Sequence, residues 1–404
     1  TAPTPGAAST LPIHRDGKAP MMAGKQAAAI DIVAVDNRSA LRDFIEVPWS
    51  IYRDDPAWVP PLRLERRQHL SDKNPFFQHA RWQAWLAVQD GRPVGRVSAQ
   101  IDQLFLERYD LPCGYFGMLE AGNDAALFQK LLNTAEDWLR QEGMSHVRGP
   151  FNLSINEECG LLVEGFETPP YLMMGHARDW YGGHIESCGY RPAKDLLAYQ
   201  IHPDFPAPPV MTSLLRKTRR RATIRLLNRK RLAEDLEILR DIFNDAWSGN
   251  WGFVPFTAAE FREIGRNLTM LVKDDFIQIA EIDGEPVAFM VALPNVNEII
   301  ADLDGRLLPI GWLKLLWRLK VKYPHSARIP LMGVRRRFHN SFLGPGLAFL
   351  VIDEVRQALV RRGISTVEMS WILEDNAGMR NIIETIGGQP YKRYRIYEKS
   401  LLPA

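Results

Sequence analysis

The chain has 404 residues, 46% of them hydrophobic, and a formal net charge of +2; that length suits two domains better than one, and the near-neutral balance excludes a global pull toward nucleic acid or membrane. Cys113, Cys159 and Cys188 have neither metal-site nor disulfide spacing, which argues for no bound metal and for a reducing, cytoplasmic compartment. The absence of any uncharged apolar run of about 18 residues predicts no spanning helix.

In chain order, residues 1–30 are rich in Ala, Pro, Gly and Thr, lack a continuous apolar signal core and read as a flexible tail. Residues 31–35 predict a strand and 38–44 a helix. WQAWLAVQDGRPVGRVSAQI places two alternating strands about a turn at Asp90 and Gly91. Residues 114–119 add a strand. The spacing of Leu127, Phe128, Leu131, Leu132, Ala135 and Leu139 predicts an amphipathic helix over 124–142, with a strand at 145–148. Residues 149–174 mix Asn152, Ser154, Asn156, Glu157 and Glu158 with large apolar groups and have no clean period. They are either the lining of a substrate cleft, where polar amides beside apolar residues belong, or a long packed loop. A helix over 176–188 would carry His176 and His184, better read as surface groups than as metal ligands. Residues 190–201 predict a strand, and Pro203, Pro206, Pro208 and Pro209 a linker.

Nine of the sixteen residues 216–231 are Lys or Arg, with an apolar strand inside the run. Such a patch suits cofactor phosphates or anionic lipid, or is a solvated edge; no nucleic-acid-binding module accompanies it. Residues 232–247 predict a helix, and Thr257 with Glu260 a capping box. IQIAEIDGEPVAFMVALP repeats the Asp-Gly hairpin at Asp283 and Gly284. The helices–hairpin–strand–helix–strand order therefore occurs twice, a duplicated architecture without literal repeats. On a helix over 307–323, Lys314, Arg318 and Lys322 share one face, and Trp312, Leu315, Leu316 and Leu319 another. That segment would lie in a bilayer interface, cover an acyl groove, or pack on its own domain.

Next come a strand at 327–334, the loop Ser341-Phe-Leu-Gly344-Pro-Gly346, an apolar helix at 347–361, a strand at 366–371, and a short helix ending at Gly387 and Gly388. Strand, glycine loop and helix in that order present helix N-terminal N–H groups to an anion. From residue 31 onward the pattern resembles the GCN5-related N-acetyltransferase (GNAT) superfamily in tandem form. The loop is similar to that superfamily's (Gln/Arg)-x-x-Gly-x-(Gly/Ala) pyrophosphate loop, although Ser341 replaces the first residue and Pro345 removes a donor. Asn376-Ala-Gly-Met379 matches Asn-x-x-(Ala/Met). Many members place a Tyr seven residues after that Asn; here Ile383 stands there. GPFNLSINEECGLLVEGF, PPYLMMGH and FHNSFLGPG are similar to a group of bacterial tandem proteins that includes the bacterial ceramide synthases.

The resemblance implies a mixed α/β fold with two acyl-CoA N-acyltransferase-like domains on bent mixed sheets: a degenerate one over 31–203, lacking the glycine loop, and a coenzyme A-binding one over 204–404. It implies acyl-CoA as co-substrate. Gly344, Gly346 and Leu347 would meet the pyrophosphate, Arg335, Arg336 and Arg337 the phosphates, Val334 the pantetheine arm, and Asn376 would orient either. For the chemistry, His339 is the candidate base, because an imidazole titrates near working pH, unless it only ties its loop. Glu157, Glu158, Asn152, Ser154 and Asn156 would orient the amine, and Tyr394 or Tyr397 would replace the missing acid. Trp312 and Trp317 would contact the chain. The expected reaction is transfer of a long-chain acyl group to a sphingoid base, with contact to an anionic membrane. Acetyl or aminoacyl transfer to a small amine or peptide, and a non-catalytic lipid-binding role, remain the alternatives.

Overall fold

The computed structural model describes residues 29–402 apart from Met270 and Lys322. All but the last two residues of the expected tail, and Lys322 of the basic helix face, lie outside the described residues. The first half runs β1 (Ile30–Ala34), α1 (Arg38–Ile51), α2 (Arg63–His69), β2 (Ala80–Gln89), β3 (Arg92–Asp102), α3 (Gln103–Arg108), β4 (Cys113–Ala121), α4 (Ala125–Gln141), β5 (His146–Gly149), β6 (Phe151–Asn152), β7 (Glu158–Cys159), β8 (Leu161–Glu164), α5 (Tyr181–Ser187) and β9 (Arg191–Ile201). The second runs α6 (Pro209–Thr218), β10 (Thr223–Leu226), α7 (Leu232–Trp247), α8 (Ala258–Thr269), β11 (Ile277–Ile282), β12 (Glu285–Pro294), α9 (Asn297–Ile300), α10 (Gly311–Val321), β13 (Ser326–Val334), α11 (Leu343–Arg361), β14 (Thr366–Leu373), α12 (Ala377–Thr385) and β15 (Gln389–Ser400). No described helix is long and apolar enough to cross a membrane.

Local chemistry accounts for the elements that position the site. Both Asp-Gly pairs have positive φ at both residues, the geometry of the two-residue turn whose twist matches the flanking strands. Asp124 caps α4 by accepting from Ala126 and Leu127 N–H, and the Leu127–Leu139 stripe is buried as the spacing requires. Thr257 and Glu260 form the reciprocal capping box: Glu260 N–H donates to Thr257 Oγ1, and Thr257 N–H to Glu260. Several helices differ from expectation: the one expected over 38–44 runs on to Ile51, and the one expected over 307–323 spans Gly311–Val321. The expected helix at 176–188 begins only at Tyr181, because His176 is held outside it by Asp55 Oδ2 at 2.9 Å. The helix expected from 347 begins at Leu343 and takes both loop glycines into its first turn.

Thirteen of the strands form one mixed sheet, ordered β1-β2-β3-β4-β5-β15-β9-β14-β13-β12-β11-β10, with β8 also on β15. Each half contributes a hairpin, then a parallel central pair: β4 with β5, and β13 with β14. The last strands are exchanged. β15, from the end of the chain, pairs with β5 of the first half, while β9 pairs with β14 of the second, and the two pair with each other. The cores follow this exchange: Tyr394, Ile396 and Tyr397 of β15 pack in the first-half core, and Leu197 and Tyr199 of β9 in the second. Both parallel pairs are short. β13 and β14 are in register only from Ser326↔Thr366 to Ile329↔Met369, and β4 and β5 only from Cys113↔His146 to Tyr115↔Arg148. Beyond those points the strands part, leaving one opening per half.

Candidate active site

In the second half, the parting is built into β13. Ile329 and Pro330 together face Ala292 alone on β12, a bulge, and Pro330 has no N–H to give to a neighbouring strand. Past the bulge, Pro330 and Leu331 on one side and Trp371 and Ile372 on the other stay partly exposed. The Trp247 indole donates to the Met332 carbonyl at 2.9 Å and meets the Trp371 ring edge-on with centroids 5.6 Å apart. The result is an accessible slot with apolar, aromatic walls.

At its vertex lies a buried polar node. Arg328 and Glu368 are register partners on β13 and β14, their side chains 4% and 0% exposed, with Arg328 Nε 3.8 Å from Glu368 Oε1. Arg328 donates to Ser370 Oγ (2.8 Å), to the Ser370 carbonyl (3.1 Å) and to the Leu172 carbonyl (2.9 Å). Ser370 Oγ and Tyr391 O–H both donate to the Glu368 carboxylate. Burial raises the Glu368 carboxyl above the ordinary glutamate range, with Arg328 opposing it. Lys392, on the same strand as Tyr391, donates to the Thr168 carbonyl at 2.6 Å, and burial brings its ammonium down to about 8. Tyr394 is fully buried, is electrostatically coupled to Glu368 and Arg328, and has no hydrogen-bond partner for its hydroxyl among the described residues. Arg328, Glu368, Ser370 and Tyr391 escaped the sequence reading, because β14 is a mostly apolar strand and its pairing partners come from distant segments. The one signal was a Glu and a Ser inside an otherwise apolar strand.

The first-half opening is filled by the chain itself. The Phe151 carbonyl lies so close to Gly117 that a Cβ there would run into it. The Gln100 carboxamide donates to the Phe151 and Leu153 carbonyls at 2.6 and 3.0 Å, which holds Leu153 at φ +85°, a conformation a leucine adopts only under external constraint. Asn152 Oδ1 accepts from Met118 N–H at 2.8 Å, and its Nδ2 donates to Glu158 at 3.1 Å. Here the expectation for 149–174 divides. Asn152, Ser154 and Asn156 are spent on structure: Ser154 Oγ accepts from Asn156 N–H, and Asn156 Nδ2 donates to the Val254 carbonyl. Leu172 and Met173 lie at the buried node, their carbonyls accepting from Arg328. Glu158 is paired with Arg66 (3.1 Å); burial would raise its carboxyl, but Arg66 and Asn152 outweigh that and hold it low. Glu157 is paired with His69 (3.0 Å).

Other expected residues are engaged locally. His339 Nε2 donates to the Val334 carbonyl at 2.7 Å, so the ring ties the loop and takes one of the two acceptor positions of that carbonyl. Arg335 meets Asp241 (2.7 Å), Arg336 meets Ser248 Oγ (2.9 Å) and Arg337 meets Glu285 (2.6 Å). Leu343 and Gly344 N–H both bond to Ser341, Pro345 has none, and Leu347 is beyond the four donors a helix start leaves free. A Cβ at Gly344 would strike the Phe338 carbonyl and one at Gly346 the Thr218 hydroxyl, so both glycines serve close packing. Asn376 caps α12 by accepting from Met379 N–H. Tyr397 donates to Glu186 of α5 at 3.3 Å. Trp312 and Trp317 are exposed on α10. Burial pushes the Cys159 thiol well up, which disfavours a thiolate there. Among the described residues, no three His, Cys, Asp or Glu side chains converge as a metal site.

No protein-family model matches the chain. Protein YghO of Escherichia coli (strain K12) is 52% identical over 366 residues, 90% of this chain and 94% of its own. The bacterial ceramide synthase of Caulobacter vibrioides (strain NA1000 / CB15N) is 46% identical over 380 residues, 93% of this chain and 98% of its own. Among solved structures, a tandem GNAT protein from the clavulanic acid biosynthesis pathway superposes with a TM-score of 0.55 at 14% identity, over 93% of this chain and 100% of that one. A GCN5-related N-acetyltransferase from Sphaerobacter thermophilus gives 0.50 at 14% identity, over 92% and 96%. These structures share the fold.

Proposed function

Because the chain belongs to the tandem GNAT family that includes the bacterial ceramide synthase of Caulobacter vibrioides, we propose that this acyl-CoA-dependent N-acyltransferase joins a long-chain acyl group to the amine of a sphingoid base. The observation that carries the reading is the contrast between the two openings: the first is filled by residues 151–153, while the second is accessible and ends on the buried Arg328–Glu368–Tyr391 node.

The thioester enters between β13 and β14, the amine from the side of Leu172 and Met173. The amine nitrogen attacks the thioester carbonyl carbon, the C–N bond forms and the C–S bond breaks. Glu368 accepts the amine proton by way of the Tyr391 hydroxyl, its carboxylate oriented by Ser370 and Arg328. The unpartnered Tyr394 hydroxyl protonates the departing thiolate and is reprotonated from Glu368, so the proton account closes. The apolar walls favour a long chain: each buried methylene contributes roughly 0.8 kcal/mol, a gain that acetyl lacks. Three unpaired buried cysteines suit a reducing cytoplasmic setting.

The test is an assay matrix with purified protein: acetyl-CoA and acyl-CoAs of increasing length, against sphinganine, 3-ketosphinganine, lysine and a simple peptide. Thiol release and product mass are both read. The expected result is an N-acylated sphingoid product formed faster with long chains. Efficient lysine acetylation with no lipid product would overturn the assignment, as would lipid binding without thiol release.

A further inference from the structure

We propose that the outer face of α10 and the turn before it dock the protein on an anionic lipid bilayer. The proposal deepens the lipid-substrate reading by naming the surface from which that substrate is drawn.

Helix α10 is held from one side only. Leu315 and Leu319 pack on a small cluster, Val296, Ile299, Ile300 and Leu303, separate from the two main cores. The opposite side has no partner among the described residues: Leu308 is 79% exposed, Trp317 56%, and Leu313, Leu316 and Val321 are similarly open. An 11-residue helix presents a stripe about 16 Å long, and this one places two tryptophans, aromatic groups favoured at membrane–water interfaces, among aliphatic side chains.

The surroundings are cationic. Lys314, Arg318 and Lys320 lie on the helix, while Asp302 is occupied by Arg318 at 2.5–2.8 Å. The same region is joined to α2: Arg63 N–H donates to the Gly305 carbonyl at 3.0 Å, just before α10. Beyond that joint, α2 carries exposed Leu64, and the groove between α2 and α8 is lined by Arg67, Lys73, Arg262 and Arg266, against one acid, Glu263. An apolar stripe flanked by cations complements an anionic bilayer: the apolar groups enter the acyl boundary and the cations meet headgroups. The supporting cluster also packs on Leu172, whose carbonyl faces Arg328 at the active node. The docked face is thereby coupled to the loop over the slot, where a single-chain amphiphile leaving the bilayer would enter.

The experiment uses the full chain with vesicles of phosphatidylcholine alone or with phosphatidylglycerol, read by flotation and by quenching of tryptophan emission with brominated lipid. The expected result is binding to the anionic vesicles that weakens with salt. It should fall roughly tenfold or more in Leu313→Ser/Leu316→Ser, and also in Lys314→Glu/Lys320→Glu, with the thermal midpoint unchanged. Acyl transfer to detergent-dispersed sphingoid base should stay at the wild-type rate in both variants, which separates this proposal from the functional one. No binding of the wild type to anionic vesicles, binding equal in the leucine variant, or a wild-type dimer that the leucine variant dissolves would each overturn the proposal, the last by assigning the face to a second copy.

Discussion

Among single residues, Glu368 is the proposed base. Its carboxylate accepts from Ser370 and Tyr391 and lies beside Arg328; Arg328, Glu368 and Ser370 are buried, and Tyr391 is partly exposed. Glu368→Gln keeps the volume and removes the base, so kcat should fall about 10²–10⁴-fold with KM for acyl-CoA nearly unchanged; a parallel rise in KM would argue for a binding role. Tyr391→Phe, which leaves Glu368 in place, should lower kcat in the same direction and guards against a misfolded first variant. Burial holds the Glu368 carboxyl above the ordinary range, so the acid limb of the rate profile should sit above that of a free glutamate and vanish in the Gln variant.

A half-buried group links the halves and bears on stability. His79 hydrogen-bonds Asp102 through Nδ1 (3.0 Å) and is ion-paired with Glu260 of α8, whose carboxylate lies 3.2 Å from Nε2. Burial alone would lower the imidazole, but the two carboxylates outweigh it and raise it to about 10. A raised folded-state value contributes stability that is complete below the unfolded value, about 6.5, and is lost as pH rises toward 10. Lys392 shifts the opposite way and recovers stability only above about 8. The thermal midpoint should therefore decline between pH 6.5 and 8, and this decline should be flatter in His79→Gln. Equal slopes would remove His79 from the account.

At the scale of elements, the start of α11 decides what the two glycines do. A Cβ at Gly346 would strike the Thr218 hydroxyl of α6. Gly346→Ala should cost about 1–3 kcal/mol by overpacking, and Thr218→Ala should restore most of it in the double variant. A loss of acyl-CoA affinity that Thr218→Ala does not repair would instead return Gly346 to a phosphate-binding role. The sequence reads well where structure is local. The Asp90–Gly91 and Asp283–Gly284 turns, the amphipathic helix after Asp124, the Thr257–Glu260 box and the helix Leu232–Trp247 were all visible in spacing. It misleads where one residue type serves two purposes. Asn376 matches a motif and is a helix cap; Asn152 looks like a cleft amide, yet both ends of its side chain hold the plug of the first opening. The Arg328–Glu368 pairing depends on the register of strands forty residues apart, which no local pattern encodes.

At the scale of the whole molecule, the exchange of β9 and β15 makes one sheet of two halves. Cutting between residues 203 and 204 leaves β5 without β15 and β14 without β9, so each fragment exposes unpaired sheet edge. The fragments expressed alone should aggregate or stay unfolded, and co-expressed they should recover the wild-type far-ultraviolet spectrum; two independently stable fragments would contradict the exchange. With the first opening plugged and the second accessible, the proposed acyl-CoA site lies at one end of this sheet. Hydrogen–deuterium exchange with and without a long-chain acyl-CoA tests that most directly. Protection should gather at residues 330–347 and 370–373, with 113–124 unchanged. Protection centred on 113–124 would place the thioester in the first half and contradict the account.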